Sequence, residues 1–108
     1  MTDSLLVQLR KGVLDMCVLA MLAQRDGYAY DIASRLAQDI GMGEGTIYPL
    51  MRRLQNDRLV ETYLVESQTG PSRKYYRLTE AGKASFTSQK SAWGSFSGAV
   101  ETILGGAK

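Results

Sequence analysis

The apolar positions of this chain follow helical spacing in four stretches and alternate in one. From about Leu5 to Gln24, Leu6, Leu9, Val13, Met16 and Ala20 advance by threes and fours, the spacing of a helix–helix seam. Leu14, Val18, Met21 and Leu22 form a second face. A helix apolar on two sides needs two partners, its own domain and something else. After the Arg25-Asp26-Gly27 turn, Ile32, Leu36 and Ile40 with Ala29, Ala33 and Ala37 predict a helix from about Tyr30 to Ile40 with one inward face. Gly41-Met-Gly43 breaks the pattern, and Ile47, Leu50, Met51 and Leu54 start a third helix. Pro49 places the first turn of that helix near itself, where a missing N–H costs little. Leu59–Val65 and Arg73–Leu78 are strand candidates around the loop chemistry of Glu66–Ser72. Thr79 can cap a last helix, in which Phe86, Trp93 and Val100, with Phe96 and Ile103, fall on a heptad seam. The Gly105–Lys108 end is expected to fray.

Two short helices joined by a glycine turn and followed at once by a hairpin predict a winged helix-turn-helix. The fold class is thus mainly α with a small β-hairpin. Residues 1–79 make the winged unit, the first helix being shared with a dimer interface, and 80–108 make a C-terminal dimerisation helix. In a chain of 108 residues, the last helix has only the first helix and a second subunit to pack on.

Composition narrows the chemistry. Apolar residues make up 44% and charged residues 22%, the balance of a folded soluble domain. No apolar run approaches bilayer length, and Met1-Thr2-Asp3-Ser4 lacks the basic flank of a signal peptide, so a cytoplasmic location is expected. The single cysteine, Cys17, excludes an internal disulfide and reads as a small buried hydrophobe. Histidine is absent, which removes the usual general base and the commonest zinc ligand. No metal, cofactor or enzymatic activity is expected.

Charge then locates a surface. Between Arg52 and Lys83 seven basic residues face four acidic ones, so this stretch carries +3 of a formal net charge of +2. Thr46, Tyr48, Arg52 and Arg53 are non-core residues of the third helix, suited to phosphate or base contact in a major groove. Alternation in the second strand puts Tyr76 and Leu78 inward and Arg73, Tyr75 and Arg77 outward, with Lys74 at the wing's edge, as a cationic ribbon beside the minor groove. An exposed strand guarded by charge would read the same way. Trp93 is either a dimer-interface anchor or, among Ser91, Ala92, Gly94, Ser95 and Ser97, a flat surface in a cavity between subunits.

Two strings, Gly45-Thr-Ile-Tyr-Pro-Leu-Met-Arg-Arg-Leu54 and Gly70-Pro-Ser-Arg-Lys-Tyr-Tyr-Arg-Leu-Thr-Glu-Ala-Gly82, resemble the PadR family of transcriptional regulators. Leu9-Arg-Lys-Gly-Val-Leu14 is similar to the family's opening helix, and the single last helix to its compact subgroup. The resemblance implies a homodimeric repressor on double-stranded DNA with an inverted-repeat operator. Thr46, Tyr48, Arg73 and Lys74 would approach DNA, and Tyr30 keeps the family tyrosine of the second helix. It also implies a small aromatic or hydrophobic effector stacked on Trp93, with Leu9, Met16 and Val100 lining the same space. Tyr28-Ala-Tyr-Asp-Ile32 departs from the family's His-Gly-Tyr-Glu-Ile, and Arg58 stands where many members have glycine, which argues against a left-handed turn there. The reading from another class is a protein-binding winged helix that does not touch DNA; the basic wing argues against it.

Overall fold

The computed structural model describes residue 9 and residues 13–107. In chain order it contains α1 (Leu14–Gln24), β1 (Gly27–Tyr28), α2 (Ala29–Asp39), α3 (Glu44–Asn56), β2 (Val60–Val65), β3 (Arg73–Leu78) and α4 (Glu80–Gly105). Leu9 is helical and largely exposed; the rest of the expected helix before residue 13, with Leu6 of its seam, lies outside the described residues. The core forms where the apolar stripes of the first three helices meet. Val18 and Leu19 of α1, Ile32 of α2, and Ile47, Met51 and Leu54 of α3 are essentially sealed from solvent. Val60, Tyr76 and Leu78 close the core from the sheet. Cys17 is half-buried against this core, and its thiol pKa is raised by desolvation, as befits a small hydrophobe.

The α2–α3 connection turns on Gly41, whose φ of 80° needs no β-carbon in the way. The amides of Ile40, Gly41 and Met42 all converge on the Leu36 carbonyl, ending α2 within one turn. Ala37, expected on the inward face, is exposed instead, because the buried arc of α2 is narrow and centred on Ile32, Ala33 and Leu36.

Two further expectations are corrected. Helix α3 opens at Glu44, so Pro49 sits in its second turn and not its first. Gly43 is extended at the N-cap, and its carbonyl receives the Thr46 and Ile47 amides at 3.0 and 3.2 Å, which starts the helix early. Pro49 cannot return an N–H to the Gly45 carbonyl, which is left as an acceptor on the exposed side. At the other end Arg58 has φ 62°, so the turn is left-handed despite the missing glycine. The Arg58 and Leu59 amides bond back to Gln55 and Leu54, each at 3.0 Å, and Thr79 Oγ1 donates to the Arg58 carbonyl at 2.7 Å. These bonds impose the conformation whatever the side chain.

The hairpin is not alone. Strand β1 adds to it, giving a three-stranded antiparallel sheet in the order β1-β3-β2. Thr79 caps α4 by accepting from the Gly82 amide at 3.0 Å. Helix α4 then runs for 26 residues, about 39 Å at the α-helical rise. Its first turns pack on α1 and β3, with Phe86 against the core. Beyond them Trp93, Phe96, Ile103 and Leu104 are 46%, 65%, 75% and 59% exposed. The helix continues through Gly105, and the Gly106 and Ala107 amides bond to Ile103 and Leu104.

Candidate nucleic-acid interface

Helix α3 buries Ile47, Leu50, Met51 and Leu54. At about 100° per residue, its opposite side then carries Gly45, Pro49, Arg52 and Asn56, all exposed. Tyr48 and Thr46 occupy the two flanks. Tyr48 is half-buried against the core on the flank facing Tyr28, Tyr30 and Tyr76, and its pKa is raised chiefly by that desolvation. Thr46 is exposed on the flank facing α1, where it shares a concavity with Leu14, Asp15, Pro49, Leu50 and Arg53. Asn56 was missed by the sequence reading, although its spacing of four from Arg52 marks it.

The two adjacent arginines do not share a role in the structure. Arg53 donates both guanidinium nitrogens to the Asp15 carboxylate, at 2.8 and 3.0 Å. That hydrogen bond and the charge of Asp15 raise its pKa further. Arg52 makes no such pair among the described residues. In the wing, Arg77 is likewise taken by Glu61 at 2.9 Å, and Lys83 by Glu80 at 3.2 Å. Of the seven cations counted between Arg52 and Lys83, those without an ion-pair partner among the described residues are Arg52, Arg58, Arg73 and Lys74. The positive excess therefore comes to rest on the outward side of α3, the turn that follows it and the wing.

Four aromatic rings stiffen that wing. Tyr75 of β3 stands opposite Tyr28 of β1 and Tyr63 of β2 in the strand register. Its ring lies 5.8 Å from Tyr28 and 5.9 Å from Tyr63. Arg73 stacks over Tyr28 and Arg77 over Tyr63, each at 5.1 Å, and Tyr30 stands 6.3 Å from Tyr28. Tyr63 Oη donates to Asp26 at 2.6 Å, which raises the tyrosine pKa. Cross-strand aromatic pairs and cation–π stacking of this kind fix side-chain direction. Tyr75 lies on the outward face, as the alternation predicts, but is half-buried there with its ring between two others. Tyr30, Arg73 and Lys74 are exposed as expected. Strand β1 and the part of Tyr28 escaped the sequence reading because the pairing that creates them joins residues almost 50 positions apart, and the bond of Tyr63 to Asp26 likewise spans 37.

The candidate effector residues divide. Met16 and Trp93 meet in a concavity of about 260 Å³ with Gln89, Ala92 and Phe96. Leu9 and Val100 do not line it; Leu9 is exposed and Val100 half-buried.

Residues 18–88 match the family model of the transcriptional regulator PadR-like family. This chain belongs to that family. A PadR-like transcriptional regulator from Bacillus cereus strain ATCC 14579 is 37% identical, covering 90% of this chain and 96% of its own, with a TM-score of 0.83. PadR of Bacillus subtilis, solved in complex with operator DNA, is 25% identical over 70% of this chain and 45% of its own, with a TM-score of 0.63. An uncharacterised protein of Lysinibacillus sphaericus is 27% identical over 100 residues, 89% of this chain and 92% of that one. PadR-like proteins are transcriptional regulators and not enzymes, and the α2–α3–wing arrangement here is their winged helix. Among the described residues no helix is long and apolar enough to cross a membrane.

Proposed function

We propose that this chain is a homodimeric, sequence-specific DNA-binding repressor, relieved by a small aromatic or hydrophobic ligand at the subunit interface. The observation that carries the reading is the coincidence of cations without ion-pair partners. Arg52 on the outward side of α3 and Arg73 and Lys74 on the adjoining wing are exposed together, while their neighbours Arg53 and Arg77 are neutralised. A helix of this kind enters a major groove, and a cationic ribbon follows the adjacent backbone. Thr46, Tyr48 and Tyr30 add hydroxyls beside the cations, and Tyr75 holds Arg73's stacking partner in place. The PadR structure with operator DNA supports the same use of this fold.

In this reading residues 1–79 are the DNA-binding unit and 80–108 the dimerisation helix. The exposed Trp93, Phe96, Ile103 and Leu104 supply an apolar face for a second copy, and Met16 with Trp93 supplies a surface for the effector. An effector acts by preferring one spacing of the paired α3 helices over another. Footprinting on the DNA upstream of the gene tests the proposal. The expected result is two protected half-sites about one turn apart, roughly 34–36 Å; a free, unprotected upstream region would contradict it.

A further inference from the structure

Asp15 and Arg53 are 38 positions apart, yet they form the one ion pair among the described residues that joins α1 to α3. The guanidinium is planar and presents two parallel N–H donors, and the carboxylate accepts both. Such a two-point contact fixes an angle as well as a distance. Leu14 and Leu50 lie buried beside it, so the pair closes the polar edge of an apolar α1–α3 contact. Arg53 stands in the last turn of α3, where its charge also complements the helix dipole.

For Arg53 to grip a phosphate it must release both bonds and leave Asp15 as a bare anion close to DNA. Arg52, one residue away and about 100° round the helix, has no such commitment among the described residues. We infer that Arg53 and Asp15 are a positioning pair that sets the pitch of α3 on α1, and that Arg52 supplies the helix's guanidinium contact to DNA. This rests on the DNA-binding reading above. Asp15 is followed on α1 by Met16, which lines the Trp93 concavity. Consecutive residues of one helix thus face α3 and α4, and a shift of α1 on α4 reaches α3 through the pair.

The sign of one substitution is decisive. Asp15→Asn raises the formal net charge by one, so simple electrostatics calls for tighter DNA binding, as does competition between Asp15 and phosphate for Arg53. A positioning pair calls for weaker binding. The experiment titrates the full chain with a fluorescein-labelled duplex from its own upstream region at several salt concentrations, by anisotropy. Asp15→Asn and Arg53→Ala are expected to weaken binding by roughly three- to ten-fold with the salt slope unchanged. Arg52→Ala is expected to weaken binding and to make the slope shallower by about 0.9. Combining Asp15→Arg with Arg53→Asp restores affinity that each single reversal loses, and this arm stands if Asp15→Asn fails to fold.

Equal or tighter binding by Asp15→Asn, a shallower slope for Arg53→Ala, or no recovery in the double reversal overturns the inference. If the unaltered protein binds no duplex at all, the DNA reading itself fails. The pair is then judged by amide hydrogen exchange: faster exchange in the last turns of α3 in Asp15→Asn, with α2 unchanged, upholds it, and unaltered exchange in α3 overturns it.

Discussion

Gly82, in the first turn of α4, lies directly under the carbonyl oxygen of Leu59, and a β-carbon there would overlap that oxygen. The Leu59 carbonyl also accepts the Thr79 amide at 3.1 Å, and the Thr79 side chain bridges Arg58 to Gly82. The end of α3, the start of β2 and the start of α4 are therefore tied at one point. The angle at which α4 leaves the winged unit is set there.

Gly82→Ala is expected to destabilise the fold by about 2 kcal/mol, since the clash is with backbone and cannot be relieved by a rotamer change. Helix propensity alone would stabilise the same variant by roughly 0.5–1 kcal/mol. The urea midpoint decides between them: a fall supports the close approach, and a rise contradicts it.

Arg58 holds a left-handed conformation that costs a non-glycine residue about 1 kcal/mol. Arg58→Gly removes that strain and gains some unfolded-state entropy in exchange. The net expectation is a modest rise in melting temperature. A clear fall would show that the Arg58 side chain contributes more than its backbone costs.

Much of this architecture was legible beforehand, for reasons that are local. The 3.6-residue stripes of α1, α2 and α3 name the core residues Val18, Ile32, Ile47 and Leu54 directly. Alternation in Arg73–Leu78 places Tyr76 and Leu78 inward, as observed. Thr79 announces its cap because it needs only Gly82, three residues on. What escaped depends on partners distant in sequence. Neither the Asp15–Arg53 pair nor the Tyr28–Tyr75–Tyr63 stack has a local signature, and both change the meaning of residues chosen from the wheel or the alternation. Arg53 and Arg77 looked equivalent to Arg52 and Arg73 until their carboxylate partners were placed. The turn at Arg58 misled for the opposite reason: tertiary bonds overrode a residue preference.

Alkaline conditions should separate the tyrosines. Tyr76 and Tyr48 have pKa values raised mainly by desolvation, and Tyr63 by its hydrogen bond to Asp26. A tyrosine whose folded pKa exceeds its unfolded one stabilises the protein below the unfolded value and loses that contribution as pH rises through the folded value. Stability is therefore expected to hold to about pH 10 and to fall above it. Absorbance at alkaline pH should show part of the six tyrosines ionising late, together with unfolding. Unshifted ionisation of Tyr48, Tyr63 and Tyr76 in the folded protein would contradict the burial of Tyr48 and Tyr76 and the Tyr63–Asp26 bond.

The exposed seam of α4 gives a test of assembly. Phe96 and Ile103 are two of its most exposed apolar residues and lie seven apart, on one side of the helix. Sedimentation equilibrium of the unaltered protein is expected to give a dimer, and Phe96→Glu with Ile103→Glu a folded monomer. A protein that sediments as a monomer before any substitution would remove the subunit interface and with it the shared effector site.

The most direct measurement is the salt dependence of duplex binding by the unaltered chain and by a variant carrying Arg52→Ala, Arg73→Ala and Lys74→Ala. Affinity for the upstream DNA should fall steeply with salt, and the variant's slope should be shallower by about 0.9 for each phosphate it no longer neutralises. Identical affinity and slope in the two proteins would contradict the placement of the DNA-facing surface on α3 and the wing.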